Sequence, residues 1–93
     1  ETARAELAPF GVGVSVLCPD FVWTGLGENT ARIGGEISMG GRMPPATDVT
    51  SADVADSVMR GIEDNAAYIL THRDSWGPIE KRMWEIEEAC RKV

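Results

Sequence analysis

Apolar and polar positions divide this 93-residue chain into short elements whose period switches between helix-like and strand-like. Glu1 to Ala8 is built from Ala, Arg, Glu and Leu, strong helix formers, and predicts the end of a helix over 1–8 that opens without a cap. Pro9 and Gly11 stop it. Val12-Gly13-Val14-Ser15-Val16-Leu17-Cys18 is β-branched and becomes apolar on both faces towards its end, which predicts a strand over 12–18 buried on both sides, as in a parallel sheet. Pro19-Asp20 ends it. Residues 20–47 then hold six glycines (Gly25, Gly27, Gly34, Gly35, Gly40, Gly41) and Pro44-Pro45 among the apolar side chains of Phe21, Trp23, Leu26, Ile33, Ile37, Met39 and Met43. A glycine-rich segment that long and that apolar reads as a functional flap.

The second half is more regular. Thr50 or Ser51 can cap a helix over 51–64, with Asp53 in the first turn, where the helix dipole favours a carboxylate. Val54, Ala55, Val58, Met59 and Ile62 give it one apolar face, and Asn65 marks its end. Ala67-Tyr68-Ile69-Leu70-Thr71 predicts a second short strand, so that strand, helix and strand fit a right-handed crossover joining parallel neighbours. A last helix is expected over 75–92, with Pro78 tolerated in its first turn. Trp76, Ile79, Met83, Ile86, Cys90 and Val93 recur at alternating steps of three and four, a stripe that must pack on something. The expected class is α/β, in a single partial domain spanning 1–93.

Composition changes this picture mainly by exclusion. A net charge of −6, with basic residues as scattered as Arg32, Arg42 and Arg60, argues against nucleic acid, where affinity comes from Lys and Arg on phosphates. The uncharged stretch through Phe10 to Pro19 is too short to span a bilayer. No basic run followed by an apolar stretch opens the chain, and a cytoplasmic setting is expected. Cys18 and Cys90, one in a strand pattern and one on a helix, suit free thiols of a reducing compartment and offer no metal-ligand spacing.

The segment from Arg4 to Thr24 carries a resemblance. Glu6-Leu7-Ala8-Pro9-Phe10-Gly11, the strand that follows, and Pro19-Asp20-Phe21-Val22-Trp23-Thr24 are similar to a stretch of the short-chain dehydrogenase/reductase family. In that family a helix after the catalytic Tyr-x-x-x-Lys ends in Glu-Leu-Ala-Pro-x-Gly, and the sixth strand leads into a Pro-Gly-x-Val-x-Thr turn. The order of flap, helix, short strand and terminal helix matches as well, so the resemblance covers essentially the whole chain. It implies the C-terminal portion of a Rossmann-like, doubly wound parallel sheet, and a parent activity of NAD- or NADP-dependent hydride transfer between a small apolar alcohol and its ketone.

By the same resemblance the cofactor contacts fall on Pro19, Asp20, Val22 and Thr24. The Val22 backbone and Thr24 hydroxyl would face the carboxamide end, and Pro19 would wall the ring. Asp20 stands where the family has Gly. Phe21, Trp23, Leu26, Met39 and Met43 are the candidate substrate-loop residues. None of the family's catalytic residues is in the chain. The phosphate loop is absent: Gly11-x-Gly13 precedes a strand where it should follow one, and Gly25-x-Gly27 lacks a third glycine. Tyr68, the only tyrosine, has His72 four residues on in place of Lys. A Tyr–Lys pair is needed because the lysine charge lowers the phenol pKa. His72 itself, flanked by Thr71 and Arg73, reads as a surface histidine, and the consecutive acids Glu63-Asp64 and Glu87-Glu88 diverge around their helices. The expectation is a chain that binds no cofactor alone and whose partner is either the missing N-terminal half of the fold or further copies of itself. The alternative is a small self-associating module that uses its terminal helix.

Overall fold

A computed structural model describes residues 1–22, 26–35 and 47–93. Among them the chain runs α1 (Thr2–Leu7), a 3-10 turn (Ala8–Phe10), β1 (Val16–Cys18), α2 (Leu26–Arg32), α3 (Ser51–Glu63), β2 (Tyr68–Leu70), a second 3-10 turn (Arg73–Ser75) and α4 (Trp76–Arg91). The two strands pair in parallel, with Val16 opposite Tyr68, Leu17 opposite Ile69 and Cys18 opposite Leu70. The protein is therefore α/β, with a two-stranded parallel sheet joined through α3.

Local chemistry explains where each element stops. Pro9 enters the 3-10 turn at its start, and Gly11 closes it in the left-handed region at φ 71°. Both strands are shorter than their sequence patterns. In place of ladder bonds, the Arg4 guanidinium donates to the Val14 carbonyl at 2.8 Å, and the Ser15 hydroxyl donates to the Ala66 carbonyl at 2.5 Å. Regular pairing begins only at Val16, whose amide donates to the Ala67 carbonyl at 3.0 Å. Arg4 also reaches the Asn65 carbonyl at 2.7 Å, so one side chain fastens α1, the entry to β1 and the turn between α3 and β2. That turn needs Asn65 at φ 50°, a conformation asparagine tolerates better than most residues. A Cβ on Gly13 would meet the Asn65 side-chain oxygen at 2.6 Å, so any larger residue there displaces the Asn65 side chain.

Thr50 is the cap of α3. Its hydroxyl accepts from the Asp53 amide at 3.2 Å while the Asp53 carboxylate accepts from the Thr50 amide at 2.8 Å, a complete capping box. The Thr50 amide and hydroxyl, both donating to it, hold the Asp53 carboxyl below its usual range. At the far end, Gly61 is buried directly against the Ile69 side chain, and this is where α3 meets the sheet.

Two expectations about burial are corrected. β1 is not covered on both faces: Val16 and Leu17 are exposed, because among the described residues the sheet has two strands and one helix, α3, against it. The α4 stripe does not pack on the described part of the chain either. Trp76 is 54% exposed, Met83 57% and Ile86 54%. Of the α3 face, Val54 and Val58 are half-buried, but Ala55, Met59 and Ile62 are exposed. Ile69 is the one buried large apolar residue among those described. The accessible surface is 7917 Å², against about 5,300 Å² for a self-contained protein of this mass. The sequence carries more apolar pattern than this arrangement covers.

Candidate functional site at the carboxyl ends of the strands

Parallel pairing puts the ends of β1 and β2 on the same edge of the sheet, and the residues that follow them meet there. In open α/β sheets this edge is where ligands bind. After β1, the Asp20 amide donates to the Thr71 hydroxyl at 3.3 Å, and the Asp20 carboxylate accepts from the Phe21 amide at 2.8 Å and the Ser75 hydroxyl at 3.1 Å. After β2, the His72 ring lies between two hydroxyls, Thr71 Oγ1 at 2.7 Å from Nδ1 and Thr47 Oγ1 at 3.0 Å from Nε2. Thr47 Oγ1 also accepts from the Val49 amide at 3.2 Å, on the approach to α3. Three separate segments thus converge on one polar rim.

The rim has definite electrostatics. The Phe21 amide, and after it the Ser75 hydroxyl, hold the Asp20 carboxyl below the usual carboxylate range; slight burial opposes them and the nearby His72 adds a smaller downward pull. A carboxyl lowered by folding stabilises the fold at pH above its ordinary value near 3.8, and that contribution disappears as pH falls through the lower folded value. Chemical denaturation midpoints measured from pH 6 to pH 2 are therefore expected to fall less steeply below pH 4 for Asp20→Asn than for the parent chain. Identical slopes would mean that the carboxylate bonds contribute nothing in solution.

Neither ring nitrogen of His72 is free, and the Ser75 hydroxyl donates to a carboxylate, not to the imidazole. Among the described residues the rim therefore contains no serine–histidine nucleophile pair. Tyr68 sits at the other end of β2, where its hydroxyl donates to the Glu1 carboxylate. That bond raises the phenol above its ordinary value, the opposite of what proton transfer near neutrality requires. Among the described residues no group of three or more His, Cys, Asp or Glu side chains could hold a metal. No described helix is long and apolar enough to cross a membrane. Cys18 and Cys90 are free thiols.

Of the residues singled out from sequence, Pro19 and Asp20 are exposed on this edge, and Phe21 and Val22 are half-buried beside them. Leu26 opens α2, with its side chain outside the described set. Trp23, Thr24, Met39 and Met43 lie outside the described residues. The sequence reading missed Thr47, Thr71 and Ser75, and it set His72 aside as a surface residue. Their signal was positional: each flanks an element boundary that faces the same edge. A cavity of about 520 Å³ lies elsewhere, between the sheet and α3, with Leu17, Val58, Ile62 and Ile69 in its lining. It is an unfilled core gap. Ser15 and Asn65 also line it, but both are engaged within the fold, Ser15 donating to the Ala66 carbonyl and Asn65 bonded by Arg4. Comparison of the chain with protein-family models, with curated proteins and with solved structures found no match.

Proposed function

We propose that these 93 residues form the C-terminal edge of an NAD(P)-dependent alcohol/ketone oxidoreductase of the short-chain dehydrogenase/reductase type, contributing to the cofactor and substrate crevice and not to the proton-transfer machinery. The observation that carries this reading is the parallel strand pair whose carboxyl ends, and the Pro19–Val22 turn with them, gather into one polar rim. In this reading Pro19, the Val22 backbone and the Thr24 hydroxyl border the nicotinamide end. Phe21, Trp23, Leu26, Met39 and Met43 supply apolar surface for a small hydrophobic alcohol or ketone. Asp20 replaces the family's glycine without leaving a free carboxylate at the turn, since both of its oxygens are engaged by Phe21 and Ser75.

These residues alone do not hold a dinucleotide, because the sequence has no phosphate-binding glycine loop. The cofactor supplies the hydride, and this chain's share is to shape one wall of the crevice and exclude water from it. The Asn, Ser, Tyr and Lys of the family's chemistry would come from polypeptide beyond these residues, in the same protein or in a partner.

The test begins with the polypeptide that carries this segment in its source cells, captured by antibodies raised to α4. It is expected to consume NADH or NADPH when offered apolar ketones. Thr24→Val in that polypeptide should raise the cofactor KM roughly tenfold, the effect of one lost hydrogen bond, with a smaller change in kcat. A captured polypeptide that neither binds nor consumes either nicotinamide would overturn the proposal.

A further inference from the structure

Two strands leave two open edges, and β2 forms one of them. The Val16 amide donates to the Ala67 carbonyl, and in a parallel ladder the same residue turns its carbonyl to the amide two places further on, at Ile69. The amides and carbonyls of Tyr68 and Leu70 therefore point away from β1, and among the described residues no strand pairs with them. Neither proline nor lysine blunts this edge. Beside it runs a groove of about 200 Å³, walled by Ser57, Arg60 and Gly61 of α3 and floored by Tyr68, Ile69 and Leu70. We infer that this groove takes an extended segment of another polypeptide as an added strand, with an acidic side chain of that segment on Arg60.

The two faces of β2 fix the chemistry of the occupant. Side chains alternate across a strand. Ile69 points to α3, where Gly61 lies against it, so Tyr68 and Leu70 point to the opposite face, where both are exposed beside Val16. An added strand continues both faces, with alternate residues entering the groove and the others lying beside Tyr68 and Leu70. In the groove, Arg60 makes no hydrogen bond or ion pair with any described residue, and its charge is open to a carboxylate. The nearest competitors are occupied: the Asp53 carboxylate is held by Thr50, the Glu1 carboxylate by Tyr68, and the Ser57 hydroxyl donates to the Asp53 carbonyl at 3.0 Å. The occupant is therefore apolar at alternate positions, with a carboxylate between them. Neither strand of this chain has that pattern, since residues 12–18 and 67–71 include no Asp or Glu, so a second copy does not supply it.

This inference is independent of the nicotinamide reading, since the groove runs along the outer edge of β2 and its test involves no cofactor. The probe is the peptide acetyl-Thr-Val-Glu-Val-Thr-amide, titrated into the isotope-labelled 93-residue chain and followed by NMR. Saturable shifts are expected at the Tyr68 and Leu70 amides and the Arg60 side chain, and smaller ones at the Ile69 amide, which is already bonded to β1. Glutamine in place of the peptide's glutamate, or Arg60→Met in the protein, should weaken binding roughly tenfold, the effect of one lost charge-assisted hydrogen bond. Arg60→Glu should reverse the preference, binding the peptide with lysine at its centre over the original. An extended peptide has two edges: methylating both valine amides blocks one, and methylating the glutamate and last threonine amides blocks the other. Only one of these two forms should bind. Binding that survives in both, equal affinity for the glutamate and lysine peptides, or Tyr68 and Leu70 shifts that change on dilution without peptide would each overturn the inference; the last would mean that copies of the chain pair along this edge.

Discussion

Gly61→Ala is expected to destabilise the protein by about 1–3 kcal/mol, the range for forcing an extra methyl into a close contact. Propensity alone predicts the opposite, since alanine within a helix is favoured over glycine by roughly 1 kcal/mol. Geometry decides the sign. A Cβ at Gly61 would fall closer to the Cγ1 and Cδ1 atoms of Ile69 than real contacts allow. Ile69 is β-branched, which restricts rotation about its first side-chain bond. α3 would have to lift off β2 at the point where the two touch. Urea denaturation of Gly61→Ala should show a lower midpoint, and the cost should shrink when Ile69→Ala is added, because the atoms in the way are then gone. Additive costs in the double variant would mean that the two residues are not in contact in solution.

Arg4→Met should cost about 2–3 kcal/mol, roughly one to two hydrogen bonds from a charged donor. The guanidinium donates to two main-chain carbonyls, Val14 and Asn65, that no strand ladder serves. Methionine keeps much of the side-chain length and removes only the donors. Lysine would be a poor substitute, since its ammonium cannot reproduce a fork that spans two acceptors. The readout is local as well as global: hydrogen exchange at the Val16 amide, the first bond of the sheet, should accelerate more than exchange within α4. Uniform loss of protection would show that Arg4 stabilises the fold without anchoring this end of the sheet.

Both predictions rest on features whose visibility in the sequence differs. The elements themselves were legible, because helix and strand periods alternate cleanly and Thr50, Asp53, Pro9, Gly11 and Asn65 punctuate them through local chemistry. The strand lengths were not, since Val14 and Ser15 look like strand residues and are bonded instead by Arg4 and to Ala66, both outside the strand pattern. α2 was hidden inside a segment whose glycines dominated its pattern. Gly61 looks in sequence like a weak point in a helix, and only its distance from Ile69 turns it into a packing requirement. At the candidate site, Pro19 to Val22 were singled out by the resemblance of their turn to a family pattern, and the structure places them directly after a strand. Thr47, Thr71 and Ser75 were missed because each is an unremarkable polar residue until the parallel pairing places it beside Asp20 or His72. The burial predicted for β1 and α4 failed for a different reason: an apolar pattern reports that a face needs covering, and it does not report what covers it.

The Asp20–Thr71 and Thr47–His72 bonds also bear on how this protein can vary. Both are made to adjacent residues just after β2, so the intervening polypeptide leaves and rejoins the fold at nearly the same place. A connection tethered at both ends can change length cheaply, since each doubling adds only about 0.6 kcal/mol of closure entropy. Insertions and deletions between residues 23 and 46 should therefore accumulate without disturbing the strand pair, the capping box or the rim. Changes of length would then be confined to that connection, while the Thr71–Ser75 stretch, which binds Asp20 and Thr47 at its two ends, would hold its length and its hydroxyls.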